Sequence, residues 1–254
     1  MKGRVYSVTG AASGIGQAVV LRLAELGARG IAISDVNLGG LGKTKKLCEA
    51  FEVQIECTQV DVSNPDQVDR WIADTISVFG RLDGAANVAG IAAGDGDTTC
   101  QTIKKEEWDR TISINLNGIM HSMRAQLPHL PRPGGAIVNV SSTSGLRGFP
   151  YSAAYSTSKF GVIGLSASAA GEFGKDGIRI NALLPGPIDT PLLRERASSG
   201  GFDADVTSEA TCLGRMGKPA EVAKVLCFLL SDDASFVTGG KSHANMKKTG
   251  FLRI

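Results

Sequence analysis

The feature that most constrains this chain is a regular alternation of short apolar runs with longer segments whose apolar residues recur at helical spacing. The first apolar run, Arg4–Thr9, leads directly into a glycine-rich turn and a helical pattern that stops at Gly27. Strands that alternate with helices pair in parallel, because each connection crosses back over the sheet. The pattern therefore predicts an α/β chain with a doubly wound parallel sheet and helices on both faces.

The same patterns predict where the individual elements lie. Strands are expected at Arg4–Thr9, Ile31–Ser34, Val53–Val60, Leu82–Val88, Ala136–Val140 and Ile178–Leu184. Helices are expected at Gly14–Leu26, Leu41–Phe51, Pro65–Phe79, Lys105–Leu127, Ala153–Phe173 and Ala220–Leu230. No repeat or linker interrupts the series, so residues 1–254 are expected to form a single domain. Ligands in such sheets bind at the carboxyl ends of the strands, which makes the residues just after each strand the informative ones.

The loop after the first predicted strand has the composition of a phosphate-binding loop. Glycines at positions 10, 14 and 16 permit a tight turn and a close approach of the backbone to a ligand. The helix that follows presents free N–H groups and the positive end of its dipole. This context predicts a three-layer Rossmann fold with six to seven strands, which binds the pyrophosphate of a dinucleotide at Gly10, Ser13, Gly14, Ile15 and Gly16.

Polar and small residues follow the next three strands. Asp35 ends the second predicted strand, where a carboxylate can bind the adenosine ribose diol and repel a 2′-phosphate, so it favours NAD over NADP. Asp61 and Val62 are expected to border the adenine. Small residues after the fourth strand would let a cofactor lie against the backbone, and the contacts expected there are Asn87, Ala89 and Gly90.

A second group of residues has the chemistry of proton transfer. Tyr155 and Lys159 lie four apart in a predicted helix and so share one face. An ammonium beside a phenol favours the phenolate, which would make Tyr155 a general acid/base at neutral pH. Ser142 could hydrogen-bond the reacting oxygen, and Asn115 could hold a water for proton relay. Each residue alone has an ordinary structural explanation; their order behind a phosphate loop indicates a catalytic site.

These motifs resemble those of the short-chain dehydrogenase/reductase family, from about Arg4 to Gly239. The resemblance implies that Tyr155 exchanges the substrate proton, that Lys159 lowers the pKa of Tyr155 and binds the nicotinamide ribose, and that Ser142 orients the substrate. It implies that Asn115 anchors the relay water. It also places residues 185–190 under the nicotinamide, with cofactor contacts at Pro185, Gly186, Ile188 and Thr190. The family further implies a homo-oligomer, either a dimer or a tetramer.

The chain departs from the family pattern at two places. Val88 stands where the family often has a second asparagine. After Gly239 the family continues with an apolar strand, whereas residues 240–254 here are polar and include Lys247, Lys248 and Arg253. This atypical tail puts the seventh strand in doubt, and it leaves open whether the tail closes the site or binds a partner.

Residues 190–218 are expected to form a substrate lid, because apolar helical patches there are broken by Gly and Ser. The candidates for substrate contact are Leu192, Leu193, Phe202, Leu213 and Met216. Between Ser142 and Tyr155, the residues expected to face the same cleft are Gly145, Leu146, Phe149 and Tyr151. No basic cluster points to a phosphorylated substrate. The hypothesis that follows is an NAD(H)-dependent oxidoreductase that interconverts a secondary alcohol and a ketone on a medium-sized apolar molecule, such as a steroid, terpenoid or polyketide.

Charge and composition exclude other classes. Lys and Arg number 27 and Asp and Glu 25, a near balance that argues against a nucleic-acid-binding protein. No apolar run approaches a membrane span or a signal peptide, so a cytoplasmic protein without a membrane partner is expected. The spacing of the cysteines and histidines predicts no metal site. Two alternatives remain open, an NADPH-linked ketoreductase of the same fold and a catalytically silent nucleotide-binding scaffold.

Overall fold

The computed structural model describes residues 1–92, 97–198 and 211–244. Seven strands lie within these residues: β1 Val5–Thr9, β2 Gly30–Asp35, β3 Gln54–Gln59, β4 Gly84–Asn87, β5 Ala136–Val140, β6 Arg179–Pro185 and β7 Lys241–Ala244. The helices are α1 Gly14–Glu25, α2 Leu38–Leu47, α3 Pro65–Phe79, α4 Lys105–Ile112, α5 Gly118–Gln126, α6 Ala153–Phe173, α7 Pro191–Ser198 and α8 Pro219–Leu230. The strands form one parallel sheet in the order β3-β2-β1-β4-β5-β6-β7. The predicted three-layer, doubly wound fold is confirmed.

Helices cover both faces of this sheet. On one face α1 packs against α8 and α2, over a core that includes Val19, Leu23 and Leu226. On the other face α3 packs against α5 and α4 against α6, over cores that include Trp71 and Ile137. The central strands are buried on both sides, which explains why they read in the sequence as continuous apolar runs.

The strand order positions the functional site. The chain runs outward from β1 to β2 and β3, and then returns to the other side of β1 to form β4. The loops after β1 and β4 therefore leave the sheet in opposite directions and border a crevice at its carboxyl edge. Their close approach is visible at Gly10, where an added Cβ would lie 2.8 Å from the Cα of Ala89.

The long helix predicted at Lys105–Leu127 is interrupted. A π-helical turn at Ser113–Asn117 separates α4 from α5, and within it the carbonyl of Ser113 accepts a hydrogen bond from the N–H of Gly118. The prediction of one continuous helix is wrong, because apolar spacing does not register one extra residue in a single turn. Such turns are frequent at functional sites, and this one contains the fully buried Asn115.

The seventh strand, which the polar tail put in doubt, is present. Lys241 to Ala244 pairs with Ala182 to Pro185 in parallel register. The buried side chain of Asn181 holds its approach, because Nδ2 donates to the carbonyl of Val237 at 2.8 Å and Oδ1 accepts from the N–H of Gly240 at 3.1 Å. An edge strand is stabilised by backbone pairing on one side, so it does not need the apolar residues of a central strand.

The start of α2 also differs from the prediction. Helix α2 starts three residues before the predicted Leu41, because the side chain of Asn37 accepts a hydrogen bond from the N–H of Gly40 and so caps the helix. The predicted lid begins with helix α7. In the part of the chain that the structure describes, no helix combines the length and hydropathy needed to cross a membrane.

Candidate active site

The glycine loop after β1 is packed too closely for side chains. Gly10 and Gly14 adopt positive φ angles of 67° and 55°, which favour glycine. An added Cβ at Gly16 would lie 2.0 Å from the carbonyl oxygen of Gly10, inside van der Waals contact. Local backbone conformation and steric crowding therefore favour glycine at all three positions of the motif. The three glycines allow the start of α1 to pack directly against the end of β1.

The start of α1 suits an anionic group. Ser13 occupies the N-cap position without a side-chain capping bond, and the first turn contains no acidic residue. The first N–H groups of a helix need an acceptor from outside the helix. An uncapped helix N-terminus of this kind, at the carboxyl edge of the sheet, could hold the pyrophosphate of a dinucleotide. It is formed by Ser13, Gly14, Ile15 and Gly16.

The carboxylate of Asp35 lies beside this loop. Its Oδ2 accepts a hydrogen bond from the N–H of Ala12 at 3.1 Å, and its Oδ1 accepts from the N–H of Asn37 at 3.0 Å. The residue is half-buried, and each oxygen keeps a further lone pair. The structure thus places this negative charge next to the loop, at the position where the sequence predicts the adenosine ribose.

A cleft of about 550 Å³ opens beside the residues predicted to border the adenine. Asp61 lines the cleft, whereas Val62 is buried and packs against the Gly118 end of the π turn. The other residues that line it are Val36, Thr58, Gln59, Gln67, Arg70, Trp71 and Asp74. The Asp61 carboxylate accepts hydrogen bonds from both the N–H and the hydroxyl of Ser63. Asp61 thus shapes the turn that leads into α3 as well as the wall of the cleft.

The loop after β4 is held by a residue that the sequence analysis did not single out. The buried Oγ1 of Thr9 accepts hydrogen bonds from the N–H groups of Val88 and Ala89, at 3.0 and 3.1 Å. The side chain of Asn87 points away from the crevice into the core, where it bonds Gln126 and Asn139. A cofactor contact at Asn87 could therefore involve only its backbone. The sequence signal that could have identified Thr9 is a hydroxyl side chain at the end of the first predicted strand.

Lys159 lies at the centre of the predicted catalytic group. It is 4% exposed, its Nζ donates to the carbonyl of Val140 at 3.0 Å, and burial lowers its pKa to about 8. The same Nζ lies 5.7 Å from the centre of the Tyr155 ring. At neutral pH the lysine is still mostly protonated, so a positive charge stands next to the phenol. This is the arrangement that the spacing of Tyr155 and Lys159 predicts.

Ser142 and its neighbour lie at the end of β5, close to α6. Ser142 is half-buried, and its Oγ accepts a hydrogen bond from the N–H of Ser144 at 3.1 Å. The hydroxyl of Ser141 donates to the main-chain carbonyl of Lys159 at 2.7 Å. The sequence analysis missed this second serine, because nothing in its spacing distinguishes it from Ser142.

Asn115 reaches the same place from the π turn. Its Oδ1 accepts from the N–H of Ile91 at 2.8 Å, and its Nδ2 donates to the carbonyl of Ile91 at 2.9 Å and to the Oγ of Ser158 at 3.3 Å. Both amide hydrogens are therefore in use. A relay water could be held by the side-chain nitrogen only after one of these bonds is broken. An added Cβ at Gly90 would lie 3.1 Å from this Oδ1 and 3.5 Å from the Nζ of Lys159.

The segment after β6 closes the remaining side of the crevice. Thr190 approaches the glycine loop, since an added Cβ at Gly14 would lie 3.3 Å from its Cγ2. Ile188 is buried and pairs in a β-bridge with Gly217, supported by bonds from Gly217 to Pro187 and from Asp189 to Gly217. The two ends of the predicted lid are thus joined. Pro185 and Gly186 precede this bridge, at the end of β6.

The structure describes only part of the predicted substrate contacts. Tyr151, Leu192 and Leu213 expose 50%, 40% and 68% of their surface, and Tyr151 adopts a φ of 60° that is unusual for a residue other than glycine. Phe202 and the tail beyond Ala244 lie outside the described residues, as do residues 93–96.

Comparison with known proteins gives consistent results. A family model described as enoyl-(acyl carrier protein) reductase matches residues 10–246. The chain is 40% identical over 242 residues to the "Short-chain dehydrogenase/reductase ABA4" of Pyricularia oryzae, covering 94% of this chain and 89% of that protein. It is 39% identical over 239 residues to the cyclohexanol dehydrogenase of Acinetobacter sp. (strain SE19), covering 94% and 92%.

Solved structures agree with these relatives. The crystal structure of levodione reductase superimposes with a TM-score of 0.91 at 33% identity, covering 96% of this chain and 97% of that one. ElxO with NADP bound gives a TM-score of 0.86 at 35% identity, with the same coverage. The similarity therefore spans nearly the whole chain in both sequence and fold.

Proposed function

Because the chain belongs to the short-chain dehydrogenase/reductase family of oxidoreductases, we propose that it interconverts a secondary alcohol and a ketone with NAD(H), on a medium-sized apolar substrate. The observation that carries the proposal is the position of the Lys159 ammonium at the carboxyl edge of the sheet: it lies beside the Tyr155 ring and, together with Asn115, beside Gly90. Proton-transfer residues and a dinucleotide cradle stand next to each other there.

The chain's own residues would hold the cofactor and move the proton. The bound nicotinamide supplies or accepts the hydride. In oxidation Tyr155 takes the proton of the substrate hydroxyl at its phenolic oxygen, and in reduction it returns that proton. The charged Nζ of Lys159 favours the phenolate, and the Oγ of Ser142 orients the substrate oxygen. Asn115 holds the Gly90–Ile91 loop against α6. That Asn115 also anchors a relay water remains a prediction.

Asp35 supports NAD as the cofactor. A carboxylate beside the adenosine ribose can accept bonds from the 2′- and 3′-hydroxyls, and it repels a 2′-phosphate. The structural relative ElxO was solved with NADP, so the same fold can also bind that cofactor. An NADPH-linked ketoreductase is accordingly the second candidate.

Exposed apolar side chains support an apolar substrate. Leu146, Tyr151 and Leu192 lie in the segments that follow Ser142 and Thr190, and each leaves more than a third of its surface exposed. Cyclohexanol, the alcohol in the name of one relative, is a cyclic apolar secondary alcohol, which is the class proposed here. The joined ends of residues 190–218 support a lid that closes over such a substrate, within one catalytic domain.

The first test is turnover of a panel of apolar secondary alcohols and ketones, cyclohexanol included. Tyr155→Phe is expected to lower kcat by about 10²–10⁴-fold while NADH binding, measured by fluorescence titration, stays nearly unchanged. Tyr6→Phe removes the hydroxyl of a tyrosine that bonds Met1, and it should leave turnover intact. Unchanged turnover in Tyr155→Phe would contradict the catalytic assignment. NADH binding by a wild type that turns over nothing in the panel would favour the silent scaffold.

The second test compares the two cofactors. With NAD⁺ and NADP⁺ at equal concentrations, kcat/KM is expected to be higher with NAD⁺. Asp35→Ser is expected to reduce the ratio of kcat/KM with NAD⁺ to kcat/KM with NADP⁺, because the variant no longer repels the 2′-phosphate. A preference of the wild type for NADP⁺ would establish the second candidate. Light scattering on the same preparation would measure whether the chain forms the predicted dimer or tetramer.

A further inference from the structure

We propose that Ser158 is a positioning residue that aims the catalytic face of α6, by tying Tyr155 to the π turn and, through Asn115, to the loop after β4. The proposal rests on the function proposed above for the same site. Ser158 was not among the residues that the sequence analysis selected, although it directly precedes Lys159.

The first step of the argument is the hydroxyl itself. Ser158 has no exposed surface, and its Oγ donates to the main-chain carbonyl of Tyr155 at 2.7 Å. A hydroxyl has one hydrogen to donate, so this bond sets its rotation and directs its lone pairs elsewhere. One of them accepts from the Nδ2 of Asn115 at 3.3 Å. A side chain on α6 is thus joined to the fully buried asparagine of the π turn.

The second step is what Asn115 holds in turn. Its amide makes two bonds to the backbone of Ile91, at 2.8 and 2.9 Å, and these occupy Oδ1 and one hydrogen of Nδ2. Ser158 accepts the remaining hydrogen, and this hydrogen bond links Asn115 to α6. The chain of bonds therefore runs from Ile91 through Asn115 and Ser158 to Tyr155.

The third step concerns aim. Tyr155, Ser158 and Lys159 lie within little more than one turn of α6, so a rotation of this helix moves the phenol and the ammonium together. The bond from Asn115 to Ser158 opposes such a rotation. A displacement of a reacting group by about 1 Å can cost about 10²-fold in rate. At 3.3 Å this hydrogen bond is longer than the usual range for N–H···O bonds. Its loss is therefore expected to change the orientation of α6 more than the free energy of unfolding.

The chain contains a matched control on the same helix. Ser156 is also buried, at 5% exposure, and it adjoins Tyr155 on the other side. Within the described part of the chain its Oγ has no hydrogen-bond partner. Ser156→Ala therefore removes the same atom as Ser158→Ala, at a similar depth, without breaking a bond.

The experiment measures kcat, KM, NADH affinity and the pH profile of kcat for the wild type and both variants. Ser158→Ala is expected to lower kcat about tenfold and to shift the pH profile, while KM and NADH affinity change less than about twofold. Ser156→Ala should match the wild type. Wild-type kcat in Ser158→Ala, or an equal loss in both variants, would overturn the proposal.

A second measurement does not depend on turnover. Hydrogen exchange at the amide of Ile91 is expected to be faster in Ser158→Ala than in Ser156→Ala, because Asn115 loses its anchor on α6. Unchanged exchange would contradict the positioning role. Absence of turnover in the wild type together with faster exchange would contradict the proposed function and leave the coupling established.

Discussion

At the scale of single residues, Lys159 combines two properties that conflict. Its side chain is 4% exposed, and the ammonium makes a hydrogen bond to the Val140 carbonyl. Burial lowers its pKa from 10.5 to about 8, so keeping it charged at neutral pH is unfavourable to folding. The residue places a positive charge beside Tyr155 at a cost in stability, a combination that is common at functional sites.

Removing this charge is therefore expected to stabilise the protein. Lys159→Met should raise the free energy of unfolding at pH 7 by about 1–3 kcal/mol and abolish turnover. Between about pH 8 and 10.5 the unfolded lysine binds a proton that the folded lysine lacks, so wild-type stability should rise with pH and approach that of the variant. Denaturant unfolding at pH 7, 9 and 10.5 checks this; a gap that widens with pH would contradict it.

At the scale of elements, the edge strand β7 shows what a polar sequence can still form. Its pairing with β6 is backed by the side chain of Asn181, which is 1% exposed and bonds both Val237 and Gly240. The strand is thus attached by one buried amide as well as by its ladder. This explains how Lys241 and Ser242 form a strand although the resemblance led us to expect apolar residues there.

Loss of that amide should detach the strand locally. Asn181→Ala is expected to lower the free energy of unfolding by about 1–3 kcal/mol. The half-buried N–H of Gly240 loses its side-chain acceptor, and the carbonyl of Val237 keeps only the long bond of 3.5 Å from Arg179. Hydrogen exchange at residues 240–244 should become faster, while Ser242→Ala, on the strand itself, should leave it unchanged. If hydrogen exchange at these residues keeps its wild-type rate in Asn181→Ala, the backbone hydrogen bonds between β6 and β7 alone hold β7.

At the scale of the whole molecule, a buried polar network connects the sheet with the helices that carry the site. Asn87 of β4 exchanges hydrogen bonds with Gln126 of α5, and it donates to Asn139 of β5. Gln126 also reaches Ser7 of β1, and Asn139 reaches Ser166 of α6. All five side chains are at least 98% buried, so each depends on its partners.

The network should respond as a unit. Gln126→Leu is expected to lower the free energy of unfolding by about 1–3 kcal/mol for each polar group left unpaired. The double variant with Asn87→Leu should cost less than the sum of the two single variants, because the second change removes groups that the first left without partners. Strictly additive values from denaturant unfolding would show that the two amides are energetically independent.

The sequence alone was sufficient for the sheet, the glycine loop and the pairing of Tyr155 with Lys159. These features depend on local spacing: apolar periodicity, glycine where a Cβ would collide, and four residues along one helix face. The interruption of the long helix at Asn115, the inward direction of Asn87 and the presence of β7 were not accessible in this way. Each depends on a partner distant in the chain: Ile91 and Ser158, Gln126 and Asn139, and Asn181.

What the sequence determined by itself is the class of the molecule, an α/β chain with a parallel sheet, and the candidate site that it predicts at the carboxyl edge of that sheet. Steric limits and the burial of apolar side chains produce regular spacings of residues along the chain, so they can be recognised in the sequence. Only the tertiary structure decided which buried hydroxyls form hydrogen bonds to the candidate site, such as those of Thr9, Ser141 and Ser158. A hydrogen bond is short and directional, and its partner is set by where the folded chain brings two segments together.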